Sequence, residues 1–237
     1  MKTKILSKTA KVHEVFVSRQ GEGLFVGEKQ IFFRFSRCNM VCNYCDTDNS
    51  VGQTQSVGEI LSLLEKNYWQ EEGVTGLSLT GGEPLLYPEM IAEISGWARS
   101  MGLRIFLETN GTLPQALALV AHAVDVVSMD IKLPSVSATP AYWKEHQAFL
   151  KTMLDLKKES YLKIVVSEEV CLKEFDLAVE LVAEQSAELP LFLQPVTPIR
   201  EVKPISSEKI KFLQERALSQ LWDVRIQPQW HKYWGVR

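Results

Sequence analysis

Three of the four cysteines fall within eight residues of the chain, in the segment that runs from Cys38 through Cys42 to Cys45. Three residues separate the first pair and two separate the second, so one short loop carries three thiols. Soft thiolate ligands are typical of iron–sulfur clusters and of zinc sites. The fourth cysteine, Cys171, stands alone, and we interpret it as a structural thiol.

Structural zinc requires four Cys or His ligands. The histidines show no paired spacing that would complete such a site: His13, His122, His146 and His231. An iron–sulfur cubane held by three cysteines leaves one iron open to a further ligand. The loop therefore favours a reactive cluster over structural zinc, and a non-catalytic module that binds zinc or a cluster is the alternative.

A second segment with ligand-binding chemistry reads Thr80-Gly81-Gly82-Glu83-Pro84 and follows a β-rich run. Glycine lets a backbone approach a ligand closely, and Glu83 offers a charged hydrogen-bond acceptor. A Gly-Gly pair is most often only a turn, so this segment by itself identifies no ligand.

Short β-rich runs alternate with amphipathic stretches, which is the pattern of βα units in a mostly parallel sheet. The predicted strands cover residues 13–17, 31–36, 76–80, 104–109, 124–130, 161–167, 191–195 and 223–227. The first predicted helix begins at Ser56, which has a capping-box partner in Glu59. Further predicted helices cover residues 88–101, 142–158, 172–183 and 206–220.

Polar residues gather where the predicted strands end, as at Glu108, Asp130 and Gln194. The carboxyl ends of successive strands form the active-site mouth of a βα barrel. No GxGxxG segment follows a predicted strand, which disfavours a dinucleotide-binding fold. The pattern therefore predicts an α/β barrel-like protein.

The chain has 237 residues, of which 46% are hydrophobic and 23% are charged, an ordinary globular composition. We expect one domain over residues 1–237. A formal charge of -3 gives no basic footprint for a phosphate backbone, so nucleic acid is not an expected partner. No run approaches the roughly 18 apolar residues of a membrane span, and no signal-peptide core is present, so we expect a cytoplasmic protein without a membrane partner.

The cysteine loop resembles the signature of the radical S-adenosylmethionine (SAM) superfamily, in which an aromatic residue, here Tyr44, precedes the last cysteine. The resemblance implies a [4Fe–4S] cluster on the three cysteines, with SAM bound at the open iron and cleaved to a 5′-deoxyadenosyl radical. It also implies a partial (β/α)6 TIM-like barrel, here with a short N-terminal strand extension. The superfamily binds the SAM amino group with a Gly-Gly-Glu-Pro stretch, the position of Gly82 and Glu83.

Further features together resemble the 7-carboxy-7-deazaguanine synthase family of the queuosine pathway: Gln20-Gly21-Glu22-Gly23, Arg34, Asp46-Thr47 after the last cysteine, and His231-Lys232. This resemblance covers nearly the whole chain. Members convert 6-carboxy-5,6,7,8-tetrahydropterin to 7-carboxy-7-deazaguanine with loss of ammonia and require Mg2+. The resemblance therefore implies a carbon–nitrogen lyase.

The family resemblance implies a role for each matched residue. Glu22 and Gln20 suit the N–H donors of a pterin edge, and Arg34 suits the substrate carboxylate. Thr47 offers the hard oxygen that Mg2+ prefers, although a turn hydrogen bond is its alternative role. The implied substrate contacts are Gln20, Gly21, Glu22, Arg34, Thr80 and Arg237, and the implied SAM contacts are Tyr44, Gly82, Glu83, Asp130, Lys132, Gln194, Pro195, Val196 and Thr197.

Some of these positions leave a structural alternative open. Asp130 and Lys132 also suit an ion pair at a strand end. The chain departs from the family just before Gln20, where it reads Phe-Val-Ser-Arg and family members more often have an aromatic residue followed by Thr-Leu. An inward-pointing Arg19 would therefore change the substrate pocket.

The resemblance also implies a homodimer. From the chemistry of cluster reduction we expect flavodoxin or ferredoxin as the reductant. The main rival is a glycyl-radical-enzyme activase, which has the same short cysteine spacing but acts on a protein backbone. Such an enzyme gives no reason for the Gln-Gly-Glu-Gly segment, Arg34 and Thr47 to occur together.

Overall fold

The structure is a computed structural model that describes residues 9–47, 51–68, 72–198 and 202–237. These residues contain nine strands: β1 (Thr9–Arg19), β2 (Lys29–Phe35), β3 (Gln53–Ser56), β4 (Gly76–Gly81), β5 (Arg104–Thr109), β6 (Val126–Asp130), β7 (Glu159–Val166), β8 (Leu191–Pro195) and β9 (Val224–Ile226). They form one sheet in the order β3-β1-β2-β4-β5-β6-β7-β8-β9. The expectation of one domain over residues 1–237 stays a prediction.

The helices that lie between these strands are α1 (Val57–Asn67), α2 (Pro88–Ser100), α3 (Pro114–Val120), α4 (Pro134–Ser137), α5 (Trp143–Asp155), α6 (Leu172–Gln185) and α7 (Ser207–Leu218), and α8 (Trp230–Trp234) follows β9. Each pair of neighbours from β2 through β9 is parallel. Parallel neighbours joined by helical crossovers are the repeating unit of a βα barrel. The predicted partial (β/α)6 barrel is confirmed, with β9 as an additional parallel strand.

The N-terminal extension is larger than the sequence predicts. Strand β1 covers eleven residues and pairs antiparallel with both β2 and β3. Strand β3, with the sequence Gln-Thr-Gln-Ser, was not predicted because it has no apolar alternation. It lies at an edge of the sheet, where a short polar strand protects unpaired backbone groups from association.

The core lies on both faces of the parallel strands. All five residues of β6 are buried, and so are the first five of the six residues of β4. Within both strands, apolar residues alternate with buried polar ones, such as Ser78 in β4 and Ser128 in β6. Each fully buried Leu or Phe side chain contributes about 1.5–3 kcal/mol relative to exposure. This core fixes the carboxyl ends of the strands rigidly enough to carry a site.

The predicted helices are found, with ends that move by a few residues. The capping box of α1 is present, since Ser56 N donates to Glu59 Oε2 at 2.7 Å and Glu59 N donates to Ser56 Oγ at 3.4 Å. Helices α3, α4 and α8 were not predicted, because each has seven residues or fewer. Within the described ranges, no helix has both the length and the apolarity needed to cross a membrane.

Candidate active site

A cavity of about 360 Å3 lies at the carboxyl ends of the parallel strands. It collects almost every residue that the sequence assigns to substrate, cofactor or metal. Those that line it are Gln20, Gly21, Glu22, Arg34, Cys38, Cys42, Tyr44, Cys45, Thr47, Thr80, Gly82, Asp130, Lys132, Gln194, Val196, Thr197 and Arg237. Glu83 and Pro195 do not line it.

The cysteine loop packs against the turn that follows β4. Gly82 N donates to Phe35 O at 2.8 Å, and Glu83 N donates to Arg37 O at 2.8 Å. A Cβ atom on Gly82 would lie 2.9 Å from the Cys38 nitrogen and closer still to the Arg37 carbonyl. Only glycine permits this approach, which places the Gly-Gly turn directly beside the first cysteine.

The three cysteines of the loop are half-buried. Burial raises the pKa of the Cys38 thiol to about 11 and raises the pKa of Cys42 as well. A bound metal or cluster holds such thiols as thiolates, and three soft sulfur donors on one cavity wall fit an iron–sulfur cluster. Across residues 9–47, 51–68, 72–198 and 202–237, no three Cys, His, Asp or Glu side chains form a site for a metal ion, so the fit to a cluster depends on the chemistry of the three sulfur donors.

Asp130 and Lys132 form the ion pair that the sequence left open. Lys132 Nζ lies 2.7 Å from Asp130 Oδ2 and 5.2 Å from the centroid of the Tyr44 ring. The other carboxylate oxygen, Asp130 Oδ1, is buried and has no hydrogen-bond partner in the described part of the chain. A buried acceptor in a cavity wall is costly unless a ligand donor reaches it, so this wall fits a bound polar cofactor such as SAM.

Glu83 is fully buried and faces the protein interior. Its carboxylate accepts hydrogen bonds from Leu85 N at 3.0 Å, Thr109 Oγ1 at 2.9 Å and Asn110 N at 2.8 Å. Burial raises the pKa of Glu83 to about 7, and these hydrogen bonds oppose the rise. The side chain therefore joins the turn after β4 to the end of β5, and its contact with the SAM amino group stays a prediction.

The substrate side of the cavity contains a carboxylate that was not among the predicted contacts, Glu108 at the end of β5. Gln20 Nε2 donates to Glu108 Oε1 at 2.9 Å, and Thr80 Oγ1 donates to Glu108 Oε2 at 2.8 Å. Ser78 Oγ also donates to Oε1, at 3.2 Å. Glu108 thus fixes the two predicted substrate contacts Gln20 and Thr80 relative to each other.

Glu22 is held by two partners from distant parts of the chain. Lys163 Nζ donates to Glu22 Oε2 at 2.6 Å, and Gln229 Nε2 donates to Oε1 at 2.9 Å. Burial acts to raise the pKa of Glu22, but the Lys163 ammonium and the hydrogen bonds outweigh burial and lower the pKa to about 2. Glu22 is therefore a fixed, ionised acceptor in the cavity.

Two arginines share one carboxylate beside the cavity. Arg34 Nε lies 3.2 Å from Glu14 Oε1, and an Arg237 terminal nitrogen lies 2.7 Å from Glu14 Oε2. Both guanidinium groups also lie within 5.6 Å of the Phe16 ring centroid. Arg34 Nη1 also donates to Thr47 Oγ1 at 3.2 Å. The residue predicted to contact the substrate carboxylate is therefore a neighbour of the residue predicted to bind Mg2+.

The C-terminal segment closes one side of the cavity. Trp230 N donates to Gly21 O at 3.0 Å, and Lys232 Nζ lies 3.1 Å from Asp46 Oδ2. Arg19, at the departure from the family pattern, is exposed, lines the cavity and donates to Gly27 O at 2.7 Å, so the departure lies at the cavity itself.

Four residues in the cavity wall or beside it were given no individual role by the sequence, although Glu108 was expected at the mouth of the barrel. Glu108 and Lys163 carried a signal, because each is a charged residue inside or at the end of an apolar strand. Gln229 and Glu14 carried none, because only the tertiary fold brings them to Glu22 and Arg34.

Known proteins are similar to this chain in sequence. Residues 33–180 match the Radical SAM superfamily. A 7-carboxy-7-deazaguanine synthase from Geobacter sulfurreducens is 37% identical over 95% of this chain and 97% of its own length. Another from Methanopyrus kandleri is 35% identical over 93% of this chain and 92% of its own length.

Solved structures share the fold. QueE from Escherichia coli superposes with a TM-score of 0.62, covers 94% of this chain and 95% of its own, and is 17% identical. SuiB from Streptococcus suis, bound to S-adenosylmethionine, gives a TM-score of 0.56 over 81% of this chain and 45% of its own, at 14% identity. At such identities the likeness shows the fold alone.

The superfamily match establishes the cofactors and the general chemistry. The chain is a radical SAM enzyme that acts on a small molecule, and its cofactors are a [4Fe–4S] cluster and SAM. The predicted family resemblance is confirmed by the extent and identity of the matches. The chain belongs to the 7-carboxy-7-deazaguanine synthase family of the radical SAM superfamily.

Proposed function

We propose that this chain converts 6-carboxy-5,6,7,8-tetrahydropterin to 7-carboxy-7-deazaguanine with release of ammonia. One observation carries the proposal: the cysteine loop and the polar side chains suited to a pterin line the same cavity. Radical chemistry requires the substrate to lie beside the cofactor with its reacting atom oriented. A cavity that joins the two sets of residues supports that arrangement.

Cys38, Cys42 and Cys45 would hold the [4Fe–4S] cluster. When bound, the cluster and SAM supply a 5′-deoxyadenosyl radical that takes a hydrogen atom from the substrate. The proposed SAM contacts are Tyr44, Gly82, Asp130, Lys132, Gln194, Val196 and Thr197. Among them, the unpartnered Asp130 Oδ1 is the acceptor best placed to receive a ligand hydrogen bond. Glu83 acts by anchoring the Gly-Gly turn, and Pro195 by ending β8.

Substrate recognition would use one set of hydrogen-bond acceptors and one pair of guanidinium groups. Ionised Glu22, together with Gln20 and the backbone at Gly21, presents acceptors to the N–H donors of the pterin edge. Thr80 is held beside them through Glu108. Arg34, with Arg237 on the other side of Glu14, presents a planar fork to the substrate carboxylate.

We further propose that Thr47 binds Mg2+ through its hydroxyl oxygen. Its neighbour Arg34 donates to that oxygen at 3.2 Å, so the proposed ion would lie beside the proposed carboxylate contact. Mg2+ usually keeps several waters and takes few protein ligands, together with oxygens of the substrate. A single threonine hydroxyl in a polar cavity is compatible with that preference.

The proposal also includes a cytoplasmic location, a homodimer, and flavodoxin or ferredoxin as the reductant. None of the four cysteines, all of which lie in the described ranges, forms a disulfide, which suits a reducing compartment. A glycyl-radical-enzyme activase would need a path for a protein backbone to the cavity. The C-terminal segment instead packs across the Gln-Gly-Glu-Gly turn, which favours a small substrate.

Anaerobic turnover tests the proposed function. The protein would be reconstituted with iron and sulfide, reduced with dithionite, and given SAM, Mg2+ and 6-carboxytetrahydropterin, with products followed by mass spectrometry. We expect 7-carboxy-7-deazaguanine to form, with 5′-deoxyadenosine only from uncoupled SAM cleavage, because loss of ammonia from the pterin uses up no hydrogen atom. SAM cleavage without the deazaguanine product would overturn the substrate assignment, and an intact cluster that cleaves no SAM would favour a binding module.

A further inference from the structure

Lys163 is a charged residue inside an otherwise apolar strand. It lies between Leu162 and Ile164 in β7, both of which are buried without exposure, and its own side chain is only 16% exposed. A lysine is almost never buried in this way unless its ammonium is paired. Its position in the cavity wall therefore calls for a specific role.

The first partner of Lys163 is Glu22, 141 residues away in sequence. The Nζ–Oε2 distance of 2.6 Å is that of a short charge-assisted hydrogen bond. Gln229 occupies the other oxygen at 2.9 Å. With both oxygens engaged, the carboxylate has one orientation relative to the cavity.

The second partner of Lys163 is Asp130, and this ion pair is longer than the one with Glu22. Lys163 Nζ lies 3.5 Å from Asp130 Oδ2, whereas Lys132 Nζ lies 2.7 Å from the same oxygen. Asp130 is opposite Lys163 in the register between β6 and β7. Lys132 is thus the principal partner of Asp130, and Lys163 is the principal partner of Glu22.

We propose that Lys163 is a positioning residue for substrate recognition, which acts by fixing the Glu22 carboxylate toward the pterin. The inference depends on the proposed function, since it assigns a task to one of its substrate contacts. Without the ammonium, Gln229 would be the one remaining side-chain hydrogen-bond donor to the Glu22 carboxylate among the described residues, and the carboxylate would turn toward water or take up a proton. Either change removes the acceptor that the pterin needs.

Four variants and one control separate positioning through Glu22 from other roles. Lys163→Met removes the charge at similar volume, and Lys163→Arg keeps the charge. Glu22→Gln removes the carboxylate, and the double variant Lys163→Met with Glu22→Gln removes both charges, so no unpaired charge destabilises the fold. Lys132→Met is the matched control, because it removes the principal partner of Asp130 on the SAM side.

The measurements are KM and kcat for the pterin, and the SAM dissociation constant, all on the cluster-loaded protein. We expect Lys163→Met to raise the pterin KM at least about tenfold, since a charge-assisted hydrogen bond contributes about 1.5–3 kcal/mol. The SAM dissociation constant should change less than about threefold. Lys163→Arg should keep the pterin KM close to the wild-type value. Lys132→Met should weaken SAM binding more than it raises the pterin KM.

The double variant decides the mechanism. If Lys163 acts through Glu22, removing it in the Glu22→Gln background should raise the pterin KM little further. Equal effects in both backgrounds would overturn the positioning role, because Lys163 would then contact the substrate independently. Wild-type protein that neither binds nor converts the pterin would overturn the proposed function, and this inference with it.

Discussion

Trp230 N donates a hydrogen bond to Gly21 O at 3.0 Å, which joins α8 to the turn that carries the proposed substrate acceptors. A Cβ atom on Gly21 would lie 2.7 Å from the His231 nitrogen and 2.9 Å from the His231 Cβ atom. The close approach of the two segments therefore depends on a glycine at position 21.

Gly21→Ala should displace α8 from this turn and raise the pterin KM about tenfold or more, because the acceptors would lose their fixed geometry. The iron content and the SAM dissociation constant should remain unchanged. The matched control is Gly58→Ala, since Gly58 lies in α1 and an added Cβ would meet nothing within 4 Å. Equal kinetic effects of the two substitutions would contradict the role given to Gly21.

Thr47→Ala tests the proposed magnesium ligand. Loss of the hydroxyl should lower activity and weaken its response to added Mg2+, because one hard oxygen ligand is gone. Cluster absorbance and SAM binding should be preserved. Thr54→Ala, on the exposed edge strand β3, is the control. A magnesium titration that matches wild type would remove Thr47 from the metal site.

Arg34→Lys tests the proposed carboxylate fork. Lysine keeps the charge but cannot pair with a carboxylate through two parallel N–H groups. We expect the pterin KM to rise about 10-fold or more, as for loss of a charge-assisted hydrogen bond, while SAM affinity changes much less. Arg104→Lys, at the other end of the strands where Arg104 pairs with Glu159, should have little effect. If the pterin KM and the SAM dissociation constant rose by similar factors, Arg34 would instead support the cysteine loop.

His146 makes the folded state sensitive to acid. Burial lowers its pKa from 6.5 to about 4, and the hydrogen bond to Asn110 O only partly offsets this. Between these two values the unfolded chain binds a proton at His146 that the folded chain excludes. The contribution of His146 to stability is therefore complete above pH 6.5 and is lost as the pH falls toward 4.

At about pH 5 the loss amounts to about 2 kcal/mol, or roughly 4–8 °C in melting temperature for a chain of this size. The melting temperature of His146→Gln should depend less on pH, because glutamine retains an N–H donor and does not titrate. Melting temperatures of both proteins at about pH 5 and pH 7.5 provide the comparison. The same decrease in the two proteins would exclude His146 as its source.

Local sequence patterns predicted the parts of the site that are local in the chain. The cysteine loop, the Gly-Gly turn and the capping box at Ser56 each occupy a short segment whose chemistry can be recognised from residue type and spacing. Strands β4 and β6 were also predicted, because each is a short β-rich segment whose apolar residues alternate with polar ones.

Other features depend on the tertiary fold. Lys163 reaches Glu22 only because β7 pairs with β6 and the turn after β1 folds over the strand ends. The inward direction of Glu83 follows from backbone N–H groups supplied by another strand end. Helix α8 has five residues, too few for an amphipathic period. No spacing in the sequence encodes these contacts.

The most direct measurement is the joint quantification of 7-carboxy-7-deazaguanine and ammonia in one anaerobic reaction of the reconstituted protein. Wild type should form the two products in equal amounts and only when SAM and the pterin are both present, and Cys42→Ala should form neither. Formation of 5′-deoxyadenosine by wild type without either product would contradict the proposed function.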